Sequence, residues 1–283
     1  MKSTGDGNRL RRVATASGMH SVPLVTYDLR RILGRMSLTA LGHVGRISYF
    51  TLELFRGFAD WRQWIPRAFE QAQAIGVGSL FIVLLTASFA GAVTALQAGY
   101  QLTEGVPVYF AGGVIVETII LELGPVLTAL ILAGRIGARY AAELGTMRVT
   151  EQIDALESLG RSAVSHLLLP RVVAATFMVP TLTVFAIATG ILSGWVAAKG
   201  PLGMSNADFE YGAQYFFKNF DVWYALIKAF CFGLAVSVVP CYVGFNTSHG
   251  AEGVGRSTTG AVVSASVFIL VLDALLAKIL LPQ

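Results

Sequence analysis

Residues 75–98 read IGVGSLFIVLLTASFAGAVTALQA, without a single charged side chain. A bilayer core of about 30 Å is crossed by roughly 20 apolar residues at about 1.5 Å of helical rise each. The stretch is long enough to span, and four more follow it. Residues 106–136 are apolar apart from Glu117, Glu122 and Arg135, and residues 172–198 contain Pro180, Gly190 and Gly194. Residues 222–245 carry Lys228 and Pro240, and residues 261–281 carry Asp273 and Lys278. The pattern predicts an all-α integral membrane protein with five transmembrane helices.

Composition agrees with that pattern. Of 283 residues, 54% are hydrophobic and 13% charged, and the mean hydropathy is +0.64. Soluble domains carry about 25% charged residues, so an ordinary cytosolic enzyme is excluded, and the apolar content excludes disorder. The two cysteines, Cys231 and Cys241, lie in apolar runs and form no disulfide scaffold. Thirty glycines point to close helix contacts in lipid. The net charge is +4, but its distribution says more than its sum. Seventeen of the 21 Lys and Arg fall in residues 1–70, 135–171 and 246–260. By the positive-inside rule the N-terminus is cytoplasmic and the C-terminus lies on the other side.

Ahead of the first span, residues 1–45 read as a basic cytoplasmic tail. No apolar core follows its arginines, so it is not a cleavable signal peptide. Over 47–70 the apolar residues Ile47, Phe50, Leu54, Phe58, Trp61, Ile65 and Phe69 step by three and four. With charges on the other faces, this is expected to be an amphipathic helix in the headgroup plane, bent or broken by Pro66.

Catalytic chemistry has no visible carrier. There is no GxxxxGK[ST] phosphate loop, and the glycine cluster 250–256 reads as a tight cytoplasmic turn. The four histidines are scattered, and neither a metal-ligand spacing nor a GxSxG nucleophile motif occurs. The chain is expected to be a non-enzyme without a cofactor of its own.

The second span and its exit hold most of the signal. Ala129, Ala133, Gly137, Ala141 and Gly145 recur every fourth position, a smooth strip for close approach by an intrachain helix or by a second copy. Arg135, Arg139 and Glu143 form a parallel charged series at the membrane boundary. Glu122 precedes Arg135 by thirteen residues, or about 20 Å of helix, which sets a carboxylate inside the apolar layer. It is a candidate to touch a headgroup, relay a proton or pair with Lys228, while Pro125 frees a backbone carbonyl. Lys228 and Asp273 read as an ion pair joining the fourth and fifth spans. In the 146–160 segment Thr150 is expected to cap a short helix and Gly160 to end it. Ile153, Leu156 and Leu159 make an apolar edge and Glu151, Asp154 and Glu157 an acidic one, suited to a partner's groove or to the membrane surface.

Several blocks in this sequence resemble the MlaE/YrbE permeases: ELGPVLTA at 122–129, AGRIG at 133–137, AAELGTM at 141–147, VTEQIDAL at 149–156, PRV at 170–172 and GAEGVGRSTTGAVV at 250–263. The match runs from about residue 45 to the end. It implies a permease domain over 46–283 in the bacterial inner membrane, serving an ABC transporter that moves phospholipids or similar hydrophobic molecules. It further implies a homodimer, two ATPase subunits holding ATP and Mg, and a periplasmic MCE-domain partner, with no nucleic acid. By the resemblance, Arg148, Thr150, Glu151, Asp154 and Glu157 belong to the ATPase-coupling segment. Gln97 and Glu122, with the neighbouring Leu96 and Tyr100, would contact lipid. Two positions depart from the pattern: Leu121 stands where some members have Arg, and Arg161-Ser162-Ala163 replaces Val-Asp/Asn-Pro. A proton-coupled carrier using Glu122, Lys228 and Asp273 is the alternative.

Overall fold

The computed structural model describes residues 52, 54, 56–58, 61–101, 106–200, 203–248 and 250–281. The tail 1–45 and most of 47–60, the first part of the expected interfacial helix, lie outside the described residues. Within the described residues the chain is helical, with no strand. The helices are α1 (Trp61–Gln101), α2 (Tyr109–Thr118), α3 (Gly124–Leu132), α4 (Ala138–Val149), α5 (Gln152–Ser158), α6 (Leu169–Lys199), α7 (Asn206–Phe216), α8 (Asn219–Phe245) and α9 (Gly250–Leu280). Wide π turns at Ile119–Leu123 and Ala133–Gly137 join α2, α3 and α4 into one rod, and another at Val164–Leu168 leads into α6. Five helical stretches, Trp64–Gln101, Tyr109–Val149, Val164–Lys199, Asn219–Phe245 and Gly250–Leu280, are long and apolar enough to cross a membrane.

Several boundaries differ from the sequence expectation. Pro66 lies inside α1, so residues 61–70 continue into the first span rather than ending a separate surface helix. A proline in the early turns removes few bonds, and the long apolar run beyond it carries the helix on. The second span extends past Ile136 to Val149, because the boundary charges Arg139 and Glu143 pair with each other along the helix at 2.7 Å. The glycine cluster is helical as well: Gly250 opens α9 at φ +60, and the remaining glycines are its first turns.

Small residues set the spacing of the bundle. A Cβ on Gly91 of α1 would strike the carbonyl of Gly190 in α6, and Gly194 lies one turn further along against Gly91 and Ile115. The Ser193 hydroxyl donates to the Ser88 carbonyl at 2.7 Å across the same seam. Helices that approach this closely gain dispersion contacts over their whole length, which is how apolar helices associate in lipid. The five-member strip of the second span is used within the chain. Gly137 faces Pro240, Ala141 faces Gly244 and Gly145 faces Thr247, all on or just beyond α8, while Ala129, Ala133 and Ala141 are fully buried.

Helix α7 has no counterpart in the sequence expectation. Ser205 and Asp208 form a reciprocal capping box, with Asp208 N–H donating to Ser205 Oγ at 3.1 Å. It packs on α2, where Gly112 and Gly113 meet Phe209 and Phe216.

Candidate functional site

Pro125 begins the account of Glu122. A proline has no N–H, so the carbonyl of Leu121, four residues earlier, loses its helical donor. The backbone widens into the Ile119–Leu123 π turn, where Gly124 N–H reaches back to Ile119 instead of Ile120. Lys228 of α8 takes over the orphan, its Nζ donating to Leu121 O at 3.0 Å. The same ammonium donates to Glu122 Oε2 at 2.9 Å and lies 2.5 Å from Asp273 Oδ1 of α9. An ammonium has three N–H groups, and three acceptors surround it. Lys228 is fully buried, so each partner offsets part of a large desolvation cost. One node thus fastens the second, fourth and fifth spans.

The node is asymmetric. Lys228 is sealed, Asp273 mostly so, but the Glu122 side chain is 43% exposed. Glu122 therefore offers acceptor capacity at the protein's surface while anchored from behind. A separate small crevice lies between α1, the second span and α6, lined by Val83, Ala87, Gly91, Leu123, Leu127 and Gly190, and Glu122 is not among its lining residues. The sequence placed Lys228 with Asp273 and named it as a possible partner of Glu122; the structure joins all three.

Gln97 is not part of this node. Gly91 and Ile119 both lie level with Gly190. Gln97 is six residues beyond Gly91 in one direction and Glu122 three residues beyond Ile119 in the other. At about 1.5 Å per residue they are separated by roughly 13 Å along the bundle. Leu96, Gln97 and Tyr100 are all exposed on α1.

The second candidate region is α5. Thr150 does not cap it: the Thr150 hydroxyl donates back to the Thr146 carbonyl at 2.8 Å, extending α4 by a bond. Glu151 takes the cap position instead, with a left-handed φ of 58 that is uncommon outside glycine. The chain so reverses in two residues. At the other end Gly160, at φ +74, donates to Glu157 O at 2.9 Å and Arg161 donates to Leu156 O at 3.2 Å. That double bond pattern is a Schellman motif, as the glycine there led one to expect. Ile153 is fully buried, while Glu151, Asp154 and Glu157 are exposed. Asp154 pairs with Arg148 at 2.5 Å, and Leu159 is left outside at 77% exposure.

With this geometry the chain can be set beside known proteins. The family model described as Permease MlaE matches residues 68–279. The chain belongs to the MlaE permease family. Among curated relatives of this MlaE permease, a probable ABC transporter permease protein of Rickettsia bellii is 34% identical over 252 residues, covering 89% of this chain and 97% of its own. A Synechocystis protein of the same description is 38% identical over 202 residues, 71% of this chain and 77% of its own. Protein TRIGALACTOSYLDIACYLGLYCEROL 1, chloroplastic, of Arabidopsis thaliana is 35% identical over 227 residues, 80% of this chain and 64% of its own.

Sequence reasoning missed Arg171 as a structural residue of this permease. It is almost wholly buried, donating to Leu167 O at 2.8 Å and to Glu143 Oε2 at 3.0 Å, with its guanidinium over the Tyr140 ring. Pro170 was the available signal. Like Pro125 it deprives a carbonyl of its donor, here His166 O, and again a cation answers: Arg67 donates to His166 O at 3.4 Å and to Nδ1 of the ring at 2.5 Å.

Proposed function

We propose that this permease is the membrane subunit of an ABC transporter for phospholipids or similar hydrophobic molecules. It works as a homodimer, with two cytoplasmic ATPase subunits that hold ATP and Mg and an MCE-domain protein in the periplasm. The chain lies in the bacterial inner membrane, N-terminus cytoplasmic and C-terminus periplasmic. Helix α5 carries this reading. It is a short element with an exposed acidic edge, held at both ends by fixed backbone geometry between two continuous spans. A partner that pushes on it must move the second and third spans together. Glu151, Asp154 and Glu157 contact the ATPase, flanked by Arg148 and Thr150.

Substrate chemistry is read from the exposed apolar surface, from Glu122 and from the family. Exposed apolar side chains on the spans, such as Phe81 and Phe89, suit long tails, and the partly exposed Glu122 carboxylate suits a hydrogen-bond-donating head. One relative is named for a galactolipid, trigalactosyldiacylglycerol. Glu122 accepts from the headgroup and Gln97, with Leu96 and Tyr100, meets lipid further out. ATP binding brings the ATPases together, α5 follows, and the cavity between the two copies narrows.

The test is a charge reversal on α5. Glu151→Lys combined with Asp154→Lys is expected to abolish recovery of the ATPase with the tagged chain, while the chain still reaches the membrane. Undiminished recovery would remove α5 from the interface. A proton-coupled carrier is the second reading, favoured by one observation, the convergence of Glu122, Lys228 and Asp273. It requires lipid movement that follows a pH gradient without any ATPase.

A further inference from the structure

Away from that crevice, at the basic end of the bundle, a cavity of about 220 Å³ opens between α1 and the start of α6. Its walls include Arg67 and Gln71 from α1, and His166, Pro170 and Arg171 from the turn into α6. We propose that this cavity binds the phosphate of an anionic phospholipid from the adjoining leaflet, as a site separate from the transport path.

The donors come first. Arg67 has no carboxylate partner among the described residues. Its bonds to His166 use one terminal nitrogen, Nη1, which leaves the rest of the guanidinium fork available. A guanidinium only donates, so His166 Nδ1 must accept, and the neutral ring then carries its proton on Nε2 as another donor. Arg171 lines the cavity, but its Nη1 and Nη2 are engaged by Leu167 O and Glu143 Oε2 and its Nε–H is sealed from solvent, so it adds charge rather than free donors. The Gln71 amide adds two more N–H groups. Such a set, led by the free part of the Arg67 fork, matches the oxygens of a phosphate.

Charge points the same way. Glu70 is the one acid lining the cavity, and it is exposed; Glu143 is already shared between Arg139 and Arg171. Size then selects the source of the phosphate. Small-molecule pockets run from about 300 to 1,000 Å³, so this volume suits a phosphate and its glycerol better than a whole metabolite. Pro170 and Leu167 supply an apolar wall, and Phe69, on the same stretch of α1, is 74% exposed. Acyl chains can therefore stay outside in the bilayer. Basic pockets between spanning helices hold lipid headgroups for these reasons.

Native mass spectrometry of the full-length protein, loaded with phosphatidylglycerol or with neutral diacylglycerol, reads the site directly. The wild type should retain phosphatidylglycerol about tenfold better than the neutral lipid, and Arg67→Gln should erase that preference. Gln71→Glu adds one negative charge and removes none of the bonds that hold the turn, so it should erase the preference even where Arg67→Gln does not fold. A preference that survives both Arg67→Gln and Gln71→Glu but is lost in Glu122→Gln would assign the retained lipid to the transport site and overturn the proposal, without touching the transport reading. Equal retention by wild type and Gln71→Glu would overturn the proposal. Inorganic phosphate displacing the lipid at equal concentration would overturn the lipid as the source.

Discussion

Two prolines organise the polar chemistry of this membrane protein. Pro125 and Pro170 each leave a carbonyl without its helical donor, and Lys228 and Arg67 each supply a cation to it. In hydrocarbon an unpaired carbonyl has no water to turn to, so the cation is held where the break occurs. The two halves of each pair are therefore energetically linked. Lys228→Met leaves two carboxylates without their cation and a carbonyl without its donor and is expected to cost about 3–5 kcal/mol, read by denaturant unfolding in detergent. Glu122→Gln keeps Asp273 on Lys228 and should cost only about 1 kcal/mol in the same experiment. Pro125→Ala restores an N–H to Leu121 O, so combining it with Lys228→Met should show a coupling of about 1 kcal/mol. Strict additivity would break the link between proline and lysine.

At the scale of elements, the five spans were legible because an apolar run of membrane length has few alternatives. Their ends were not. Extension of the second span to Val149 rests on the Arg139 to Glu143 pair and on Glu143 meeting Arg171 from another helix, a contact without local signature. Helix α7 was missed because an amphipathic segment of eleven residues reads like an ordinary connection. The α5 helix was legible through Gly160, whereas its start was misassigned: Thr150 has a cap's chemistry, but its hydroxyl finds Thr146 O first. Gly160→Ala forces a Cβ into the left-handed region and should cost about 1–2 kcal/mol locally. Hydrogen exchange over residues 152–158 should speed up accordingly, with the spans unaffected. Gly91→Leu would drive a side chain into the Gly190 carbonyl and separate α1 from α6. Loss of folded protein is the expected outcome, measured by size-exclusion chromatography, and normal recovery would mean that the seam is looser than it looks.

For the molecule as a whole, the candidate site divides into what one chain holds and what the proposed assembly would add. The node of Glu122, Lys228 and Asp273 was half legible: three intramembrane charges are conspicuous, but only the fold shows that one lysine serves both acids. Gln97 came from the family resemblance and lies at another level of the bundle, so one lipid touching both would have to extend along it. The small-residue strip could have served either a second copy or this chain, and it is spent inside this chain against α8. What faces outward instead are the large apolar side chains of α1 and α9, such as Phe81, Phe89, Val271 and Ile279. These are the surfaces on which the proposed contacts with lipid and a second copy would form. The central claim, a permease driven through α5 by an ATPase, is tested most directly by reconstituting the tagged complex into vesicles and following lipid transfer with and without ATP. The account predicts transfer that needs ATP, stops with vanadate and is lost in the Glu151→Lys, Asp154→Lys variant. Transfer by the chain alone, driven by a pH gradient and indifferent to that variant, would contradict it.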